Sequence, residues 1–305
     1  MIKYKSINDY QAISELWNRE LGFIYPIASD VLTQNITNYP SKYVLGAYDN
    51  EVLIGFVVGK KNITNIASYQ NLGWISIIYV ARKYRNQGIG SHLLTAVEEY
   101  LQGVEVIHLG KDVNNFFPGI PVDFNGLADR FFINRGYEVY GTTHDLINTN
   151  LKTLPIKNKN IIYKQCTLAE QPQLLSFMKR NFPGRWTYEV EQYFINGGDG
   201  NEYIIGMDGN NVIGFARAND RTSKQSHYNI TWYQRFKNLG GIGPLGVDSL
   251  YRGKDIGYDI VAMAVNTLIN RGISEIIIDW TSLLSFYRQF GFEVWKSFKY
   301  LSKKG

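Results

Sequence analysis

The pattern of apolar and polar positions along this chain occurs twice. In each occurrence an apolar strand leads into a turn rich in Arg and Gly, and a helix with apolar residues at helical spacing follows. The two strand-to-helix segments, Tyr79–Gly90 and Gly246–Gly257, align without a gap, 167 residues apart. The pattern predicts strands at 75–80 and 242–247 and helices at 88–102 and 256–271.

Two further segments repeat in the same order. A hairpin over residues 43–56 matches a hairpin over residues 203–215, with polar turns at Asp49-Asn50 and Asp208-Gly209. Near the end of each copy a helix is predicted to stop at a glycine, Gly136 or Gly291, before a final strand. Three matched segments in one order indicate an internal duplication.

The duplication predicts an α/β fold made of two domains. Strands alternate with helices in each copy, which is typical of helices packed on a mixed sheet. The length of 305 residues agrees with two domains of ordinary size. A polar stretch rich in Asn and Lys interrupts the apolar pattern, so we place the domains at residues 1–150 and 161–305 and a linker at 151–160.

Composition excludes several classes of protein. The single cysteine, Cys166, excludes an intramolecular disulfide and a Cys-based zinc site, and it suits a reducing compartment. The four histidines lack ligand spacing, so no metal is predicted. No signal peptide and no apolar run of about 20 residues is present, so we expect a cytoplasmic protein without membrane association.

The net charge of +5 is divided unevenly along the chain. Residues 1–150 carry 12 Lys and Arg against 14 Asp and Glu, whereas residues 151–305 carry 20 against 13. A basic half can attract a nucleotide, an acidic substrate or a nucleic acid. The charges are dispersed, however, which favours an ordinary solvated surface, and no nucleic-acid partner is predicted.

The repeated segments resemble a known family. Arg85-Asn-Gln-Gly-Ile-Gly90 is similar to the acyl-CoA-binding motif of the GNAT acetyltransferases, and the Phe-Tyr-x-x-x-Gly-Phe segment ending at Phe292 is similar to their second conserved segment. The resemblance extends over nearly the whole chain twice. It implies two tandem GNAT-like domains, each a mixed, mostly antiparallel sheet flanked by helices. It also implies acetyl-CoA as co-substrate, transfer of an acetyl group to a primary amine, and no metal.

The resemblance assigns cofactor-binding roles residue by residue. In the family the central strand parts from its neighbour to pair with the pantetheine arm, and glycines allow the backbone to approach the pyrophosphate. In the first copy these positions are Ile78, Tyr79, Val80, Arg85, Asn86, Gln87, Gly88, Ile89, Gly90 and Ser91. A second cofactor site would comprise Leu245, Val247, Arg252, Gly253, Lys254 and Gly257.

The two copies differ at one loop position. Asp255 stands where the first copy has Gly88. A carboxylate within about 4–6 Å of the phosphates would repel them in a partly desolvated site. The alternative is that Asp255 caps the following helix, a favourable use of an acidic residue.

A second difference concerns the proton donor to the CoA thiolate. In the family a tyrosine on the last helix commonly has this role, and the matching residues are Phe132 and Tyr287. Tyr287 is therefore the candidate catalytic residue, although its own copy carries Asp255. Three arrangements stay open: transfer in the N-terminal domain, transfer in the C-terminal domain through Tyr287, or a non-catalytic protein that binds acyl-CoA.

The sequence offers weaker candidates for the general base and the acceptor pocket. Possible bases are Ser76, Tyr79, Asp112 and Glu138. An insert over residues 112–123 carries Phe116 and Phe117, which would either line an acceptor pocket or pack across the domain joint. Trp232, Tyr233 and Trp280 would shape a second pocket or belong to the core. A small-molecule amine is the expected acceptor, and its identity and the oligomeric state stay open.

Overall fold

The computed structural model describes residues 1–124, 126–225 and 227–305, and it divides into two compact units. The first unit comprises residues 1–65, 69–144 and 296–305, and the second comprises 66–68 and 145–295. Each unit has a mixed, mostly antiparallel sheet with helices packed on it, so the predicted α/β class is confirmed.

The first half of the chain contains the following elements. Its strands are β1 (Lys3–Ser6), β2 (Lys42–Asp49), β3 (Val52–Lys61), β4 (Leu72–Val80), β5 (Val106–Leu109), β6 (Ile120–Pro121) and β7 (Glu138–Asn148). Its helices are α1 (Tyr10–Leu21), α2 (Ser29–Thr37), α3 (Ile89–Tyr100) and α4 (Leu127–Ile133).

The second half repeats this order. Its strands are β8 (Ile162–Gln165), β9 (Tyr203–Asp208), β10 (Asn211–Asp220), β11 (Leu239–Val247), β12 (Glu275–Thr281) and β13 (Glu293–Lys304). Its helices are α5 (Gln171–Asn181), α6 (Arg185–Ile195), α7 (Ile256–Asn270) and α8 (Leu284–Arg288). The strands and helices predicted around both Arg and Gly turns are present within a few residues of their predicted limits.

The sheet of the first unit takes a strand from the end of the chain. β1 to β4 pair antiparallel in sequence order, and β5 lies parallel to β4. Residues 302–304 of β13 pair antiparallel with β5. The last ten residues, 296–305, which the sequence-based limits place in the C-terminal domain, thus pack within the first unit.

The sheet of the second unit has the same plan. β8 to β11 pair antiparallel, and β12 lies parallel to β11. Residues 145–148 of β7 belong to this unit and neighbour β12. In both units the helix after the central strand, α3 or α7, buries its apolar face on the sheet. Each fully buried aliphatic side chain there contributes about 1.5–3 kcal/mol.

The predicted linker is bound to helix α7. Asp259, in the first turn of α7, is fully buried and accepts hydrogen bonds from the backbone N–H groups of Lys157 (2.7 Å) and Asn158 (2.9 Å). The side chain of Asn266 exchanges two hydrogen bonds of 2.9 Å with the backbone of Leu154. These contacts fix the linker residues beside the N-terminus of α7.

Replacing Asp259 tests this attachment. Asp259→Ala removes the buried acceptor of two partly buried backbone N–H groups, so we expect the free energy of unfolding to fall by about 1–3 kcal/mol. Urea denaturation of the full chain measures the change. The control is Glu293→Ala, which removes an exposed carboxylate from the same unit. Equal urea midpoints for the two variants would contradict the attachment.

Candidate functional site

The first Arg and Gly loop connects β4 to α3. Its backbone is left-handed at Asn86 (φ 60°) and at Gly88 (φ 81°), and α3 begins at Ile89. A β-carbon added at Gly88 would meet no atom within 4 Å. The loop therefore presents open space at the start of a helix, where N–H groups and the helix dipole favour an anion.

The second loop, between β11 and α7, has the same backbone conformation. It is left-handed at Gly253 (φ 75°) and at Asp255 (φ 59°), and α7 begins at Ile256. Each loop thus has one glycine and one Asn or Asp at its two left-handed positions, in opposite order. Asn and Asp are the non-glycine residues that adopt this conformation most readily, so Asp255 preserves the shape of the loop.

The loop arginines are held in the same way in both units. The Nε of Arg85 donates to the backbone oxygen of Val80 (2.8 Å), and the Nε of Arg252 donates to that of Val247 (3.4 Å). Both guanidinium groups remain accessible to solvent. Each therefore has a fixed stem, and the Arg85 guanidinium in addition pairs with Glu20 at 3.8 Å.

Asp255 does not cap helix α7. Its side chain makes no capping hydrogen bond, because a cap requires an extended backbone and Asp255 is left-handed. The capping alternative is therefore wrong. Its carboxylate pairs instead with the Nζ of Lys157 at 3.3 Å. The negative charge that replaces Gly88 is thus balanced by a lysine from the linker.

In both units the central strand parts from its parallel neighbour. β4 pairs with β5 only through residues 72–75, and β11 pairs with β12 only through residues 239–241. The stretches 76–80 and 242–247 therefore have a strand on one side only. Both stretches contain the positions expected to pair with pantetheine: Ile78, Tyr79 and Val80 in the first unit, and Leu245 and Val247 in the second.

The remaining predicted residues of the first loop lie around the start of α3. Gln87 donates from Nε2 to the backbone oxygen of Lys83 (3.1 Å), and its counterpart Lys254 donates from Nζ to that of Leu250 (3.1 Å). The Ser91 hydroxyl accepts from Arg135 (2.7 Å). β-Carbons added at Gly90 and Gly257 would contact phenylalanine rings at 3.4 Å and 3.7 Å, so both helices pack closely there.

Two candidate bases of the first unit lie away from any open site. The hydroxyl of Tyr79 donates to Glu20 (2.6 Å), and burial raises its pKa above the ordinary value. The same Glu20 carboxylate accepts from the backbone N–H of Arg82 (3.0 Å). Tyr79 is therefore part of a fixed contact between α1 and β4. Glu138 lies at the exposed start of β7.

The space where β4 and β5 part is occupied by the protein itself. Asp112 and Lys60 form a fully buried ion pair (2.5 Å), and the hydroxyl of Ser76 donates to the same carboxylate oxygen (2.9 Å). The side chains of Phe116 and Phe117 are also buried rather than lining an open pocket. The two candidate bases Ser76 and Asp112 are thus bound to each other and to Lys60, and they are closed to a substrate.

The aromatic residues of the insert pack within the first unit. The Phe117 ring contacts Trp17 (5.7 Å between centroids) and Tyr25 (5.4 Å). Both partners belong to the segment formed by α1 and the turn that follows it. The insert therefore fills the space between the parted strands and this segment.

The corresponding position of the second unit is different. Asn219 has the register position of Lys60, since Asn219 pairs with Gly241 and Lys60 pairs with Trp74. The Asn219 amide donates to Asn229 (3.0 Å) and brings no positive charge. No buried lysine is thus available to pair with an acid between β11 and β12.

A carboxylate lies at this opening in the second unit. Asp279 follows the last residues of β12 that pair with β11, and its Oδ1 would lie 3.1 Å from a β-carbon on Gly243 of β11. It is partly exposed and forms no ion pair in the part of the chain that the structure describes. It is a largely buried acid at the parting of the strands, where Asn229 also packs against Gly241 of β11.

Burial and a second acid both raise the pKa of the Asp279 carboxyl. Burial, with the nearby Asp145 carboxylate, raises the pKa of Asp279 well above its usual range. Burial raises the pKa of Asp145 to about 7. Burial, aided by Asp279, also raises the pKa of Tyr287, which therefore keeps its proton at neutral pH. Asp279 and Tyr287 thus lie near enough for the Asp279 charge to act on the Tyr287 hydroxyl.

Aromatic residues lie beside Asp279. The Arg185 guanidinium lies over the rings of Trp280 (4.7 Å) and Tyr228 (4.9 Å), and its Nε donates to Glu189 (2.6 Å). Trp280 thus packs against Arg185 of α6, directly after Asp279 in the chain. Trp232 is buried, and the ring of Tyr233 lies under Arg221 (4.0 Å).

Comparison with known proteins identifies the family. The profile of the acetyltransferase (GNAT) family matches residues 10–117 and 172–292, which is one match in each half. The chain belongs to the GNAT acetyltransferase family. The predicted tandem GNAT architecture is confirmed. No curated protein matches the sequence.

Solved structures of similar fold extend over the full chain. A region described as a GCN5-related glucosamine N-acetyltransferase, within a fungal multi-domain GH3 β-N-acetylglucosaminidase, has a TM-score of 0.88 at 25% identity and covers 99% of this chain. This chain spans 38% of that fungal protein. A GCN5-related N-acetyltransferase from Sphaerobacter thermophilus has a TM-score of 0.73 at 14% identity, covering 99% of this chain and 95% of that one.

A third structure has the tandem architecture in its description. A tandem GNAT protein from the clavulanic acid biosynthesis pathway has a TM-score of 0.70 at 9% identity, covering 100% of this chain and 98% of that one. At such identities the last two likenesses show the fold alone. They agree with two GNAT units in one chain.

A membrane-spanning helix and a metal-binding group are both absent among the described residues. Within residues 1–124, 126–225 and 227–305, no helix has both the length and the apolar character needed to cross a bilayer. The same residues contain no group of three or more His, Cys, Asp or Glu side chains arranged to hold a metal ion.

Sequence reasoning missed the two acids of the second GNAT unit. Asp279 ends the apolar run Ile276-Ile-Ile278, and an acid at the end of a buried strand is a signal that could have been used. Asp145 gave no such signal, because it lies in β7 and joins the second unit only through the fold. Phe132 and Tyr287, which the sequence places at matching positions of the two copies, both have buried side chains.

Replacing Lys60 tests whether the Lys60–Asp112 ion pair is buried in the parting of β4 and β5. Lys60→Met leaves the Asp112 carboxylate buried without its cation, so we expect a loss of about 3–5 kcal/mol in the free energy of unfolding. The double variant Lys60→Met, Asp112→Leu should recover most of the loss. Urea denaturation measures both. Lys61→Met, beside the pair on the same strand, is the control, and an equal effect of the two lysine variants would refute the assignment.

Proposed function

We propose that the protein is an acetyl-CoA-dependent N-acetyltransferase that moves an acetyl group directly to a primary amine, and that the second unit carries out the transfer. The observation that supports this is the parting of β11 and β12, where Asp279 faces the central strand and forms no ion pair among the described residues. The equivalent opening of the first unit is closed by the buried Lys60–Asp112 pair.

The second unit has the parts needed to hold acetyl-CoA. The unpaired edge at Leu245 and Val247 would pair with the pantetheine arm, as an added strand does. Arg252, Gly253, Lys254 and Gly257 would surround the pyrophosphate at the start of α7. The Lys157–Asp255 pair offsets the repulsion that Asp255 would otherwise cause. When bound, acetyl-CoA supplies the activated thioester.

Asp279 would act as the general base. An amine acceptor enters as an ammonium ion and must lose a proton before its nitrogen can attack the thioester carbon. A carboxylate whose pKa is raised well above its usual range takes up that proton more readily than an ordinary aspartate. The neighbouring Trp280 and Tyr228 rings would contact the apolar faces of a small acceptor.

Tyr287 would supply the second proton. As the new C–N bond forms, the C–S bond breaks and the sulfur leaves as a thiolate. The Tyr287 hydroxyl is protonated at neutral pH, and it would give that proton to the sulfur as negative charge develops there. Asp279 retains the proton from the amine, so transfer between these two groups or to solvent restores the site.

The acceptor class is suggested by one likeness. The fungal region with a TM-score of 0.88 is described as a glucosamine N-acetyltransferase. An amino sugar offers a single cationic amine on a small ring, which suits an acidic opening flanked by aromatic rings. We therefore propose an amino sugar as the first acceptor to examine.

For the first unit a different role is favoured. Its loop has the open space beside Gly88, but its opening is filled by the insert and the buried ion pair. Binding of acyl-CoA without transfer is the function that this combination supports. The non-catalytic alternative thus applies to this unit rather than to the whole chain.

Matched charge reversals in the two loops test the assignment. Arg252→Glu places a negative charge beside the proposed phosphate site of the second unit, so we expect the KM for acetyl-CoA to rise at least tenfold. The control Arg85→Glu makes the same change in the first unit and should alter kcat/KM less than twofold. The assay is CoA thiol release with glucosamine, spermidine and an amino acid as trial acceptors.

Two results of this assay would overturn the proposal. If the wild type releases no CoA with any amine, the protein is not an N-acetyltransferase of this kind. If Arg85→Glu raises the KM and Arg252→Glu does not, the transfer belongs to the first unit.

A further inference from the structure

We propose that Asp145 acts through Asp279, as the second carboxyl of a pair that receives the proton of a cationic amine. The inference rests on the proposed function. It would mean that the second unit depends on a residue that precedes the linker, within the span 1–150 that the sequence assigns to the other repeat.

The geometry places Asp145 against the backbone beside Asp279. Its Oδ1 accepts a hydrogen bond from the backbone N–H of Trp280 (2.9 Å), the residue that directly follows Asp279. Asp145 is 3% exposed and forms no ion pair among the residues that the structure describes. A buried carboxyl without a cation is costly, so its presence calls for an explanation.

The internal repeat shows that this carboxyl pair is specific to the second unit. By the alignment of the two final strands, Tyr300 matches Asp145, and by the strand registers Gly110 matches Asp279. The first unit therefore has neither acid at these positions. The two acids thus occupy matching positions of the second unit, where the first unit has Tyr300 and Gly110.

The groups that face Asp279 come from three further elements. Asp145 comes from β7, Arg185 and Glu189 come from α6, and Tyr287 comes from α8. Arg185 and Glu189 are bound to each other at 2.6 Å, so their charges largely offset one another. Asp145 is then the main neighbour that opposes ionisation of Asp279, after burial itself.

Two close carboxyls in a buried place share a proton more easily than they both ionise. In the form with one carboxyl ionised, the pair carries a single negative charge. That charge attracts an ammonium group, and the ionised carboxyl accepts its proton. Asp145 would thereby hold Asp279 in the range where it can receive and release a proton.

The pH profile of Asp145→Asn tests this role. The amide retains the hydrogen bond from Trp280 but removes the negative neighbour, so the acidic limb of kcat/KM should move to lower pH by about one unit. The control is Asp208→Asn, an exposed strand-end residue of the same unit, which should leave the limb in place. A lower kcat with an unmoved limb would show a structural role and overturn the proposal.

A second measurement does not depend on activity. Between about pH 4 and pH 7, a carboxyl whose pKa is raised in the folded state binds more protons in the folded protein than in the unfolded chain. The free energy of unfolding therefore falls as the pH rises through that range. The difference between the urea midpoints of Asp145→Asn and the wild type should therefore rise, in favour of the variant, from pH 5 to pH 8. A difference that does not change with pH would refute the pair, whereas absence of CoA release in the wild type would refute only the proposed function.

Discussion

The parting of the central strand from its parallel neighbour is the constraint on which the rest of the structure depends. β4 and β5, like β11 and β12, share only three or four paired positions before they diverge. Each central strand then continues to its Arg and Gly loop with one edge unpaired. Backbone groups cannot stay buried without partners, so the unpaired edge must meet a ligand, solvent or another part of the chain.

The two units meet this requirement differently. In the first, the chain turns back after β5, and the buried Lys60–Asp112 pair and the aromatic insert occupy the opening. In the second, β12 continues to Asp279, and Asn229 packs against the central strand at the parting. The same duplicated plan therefore holds a buried ion pair in one unit and the acid Asp279 in the other. Tyr287 lies in the unit that carries Asp279.

Local patterns were enough to predict the fold and both loops. The alternation of apolar positions, the glycines and the hairpin turns are all set within about ten residues, so the sequence alone reveals them. The ion pair between Asp255 and Lys157 joins residues 98 positions apart, so the sequence around Asp255 could not predict it. Asp279 and Asp145 meet through strand register, and the packing of residues 296–305 in the first unit likewise depends on tertiary pairing.

The central claim is that Asp279 takes the proton of the acceptor amine, and Asp279→Asn tests it most directly. Acetyl-CoA binding by isothermal titration should stay within about twofold of the wild type, because the loops are untouched. The kcat for CoA release should fall by about 100-fold or more, since the amide cannot accept the proton. Turnover by Asp279→Asn at the wild-type rate would contradict the account.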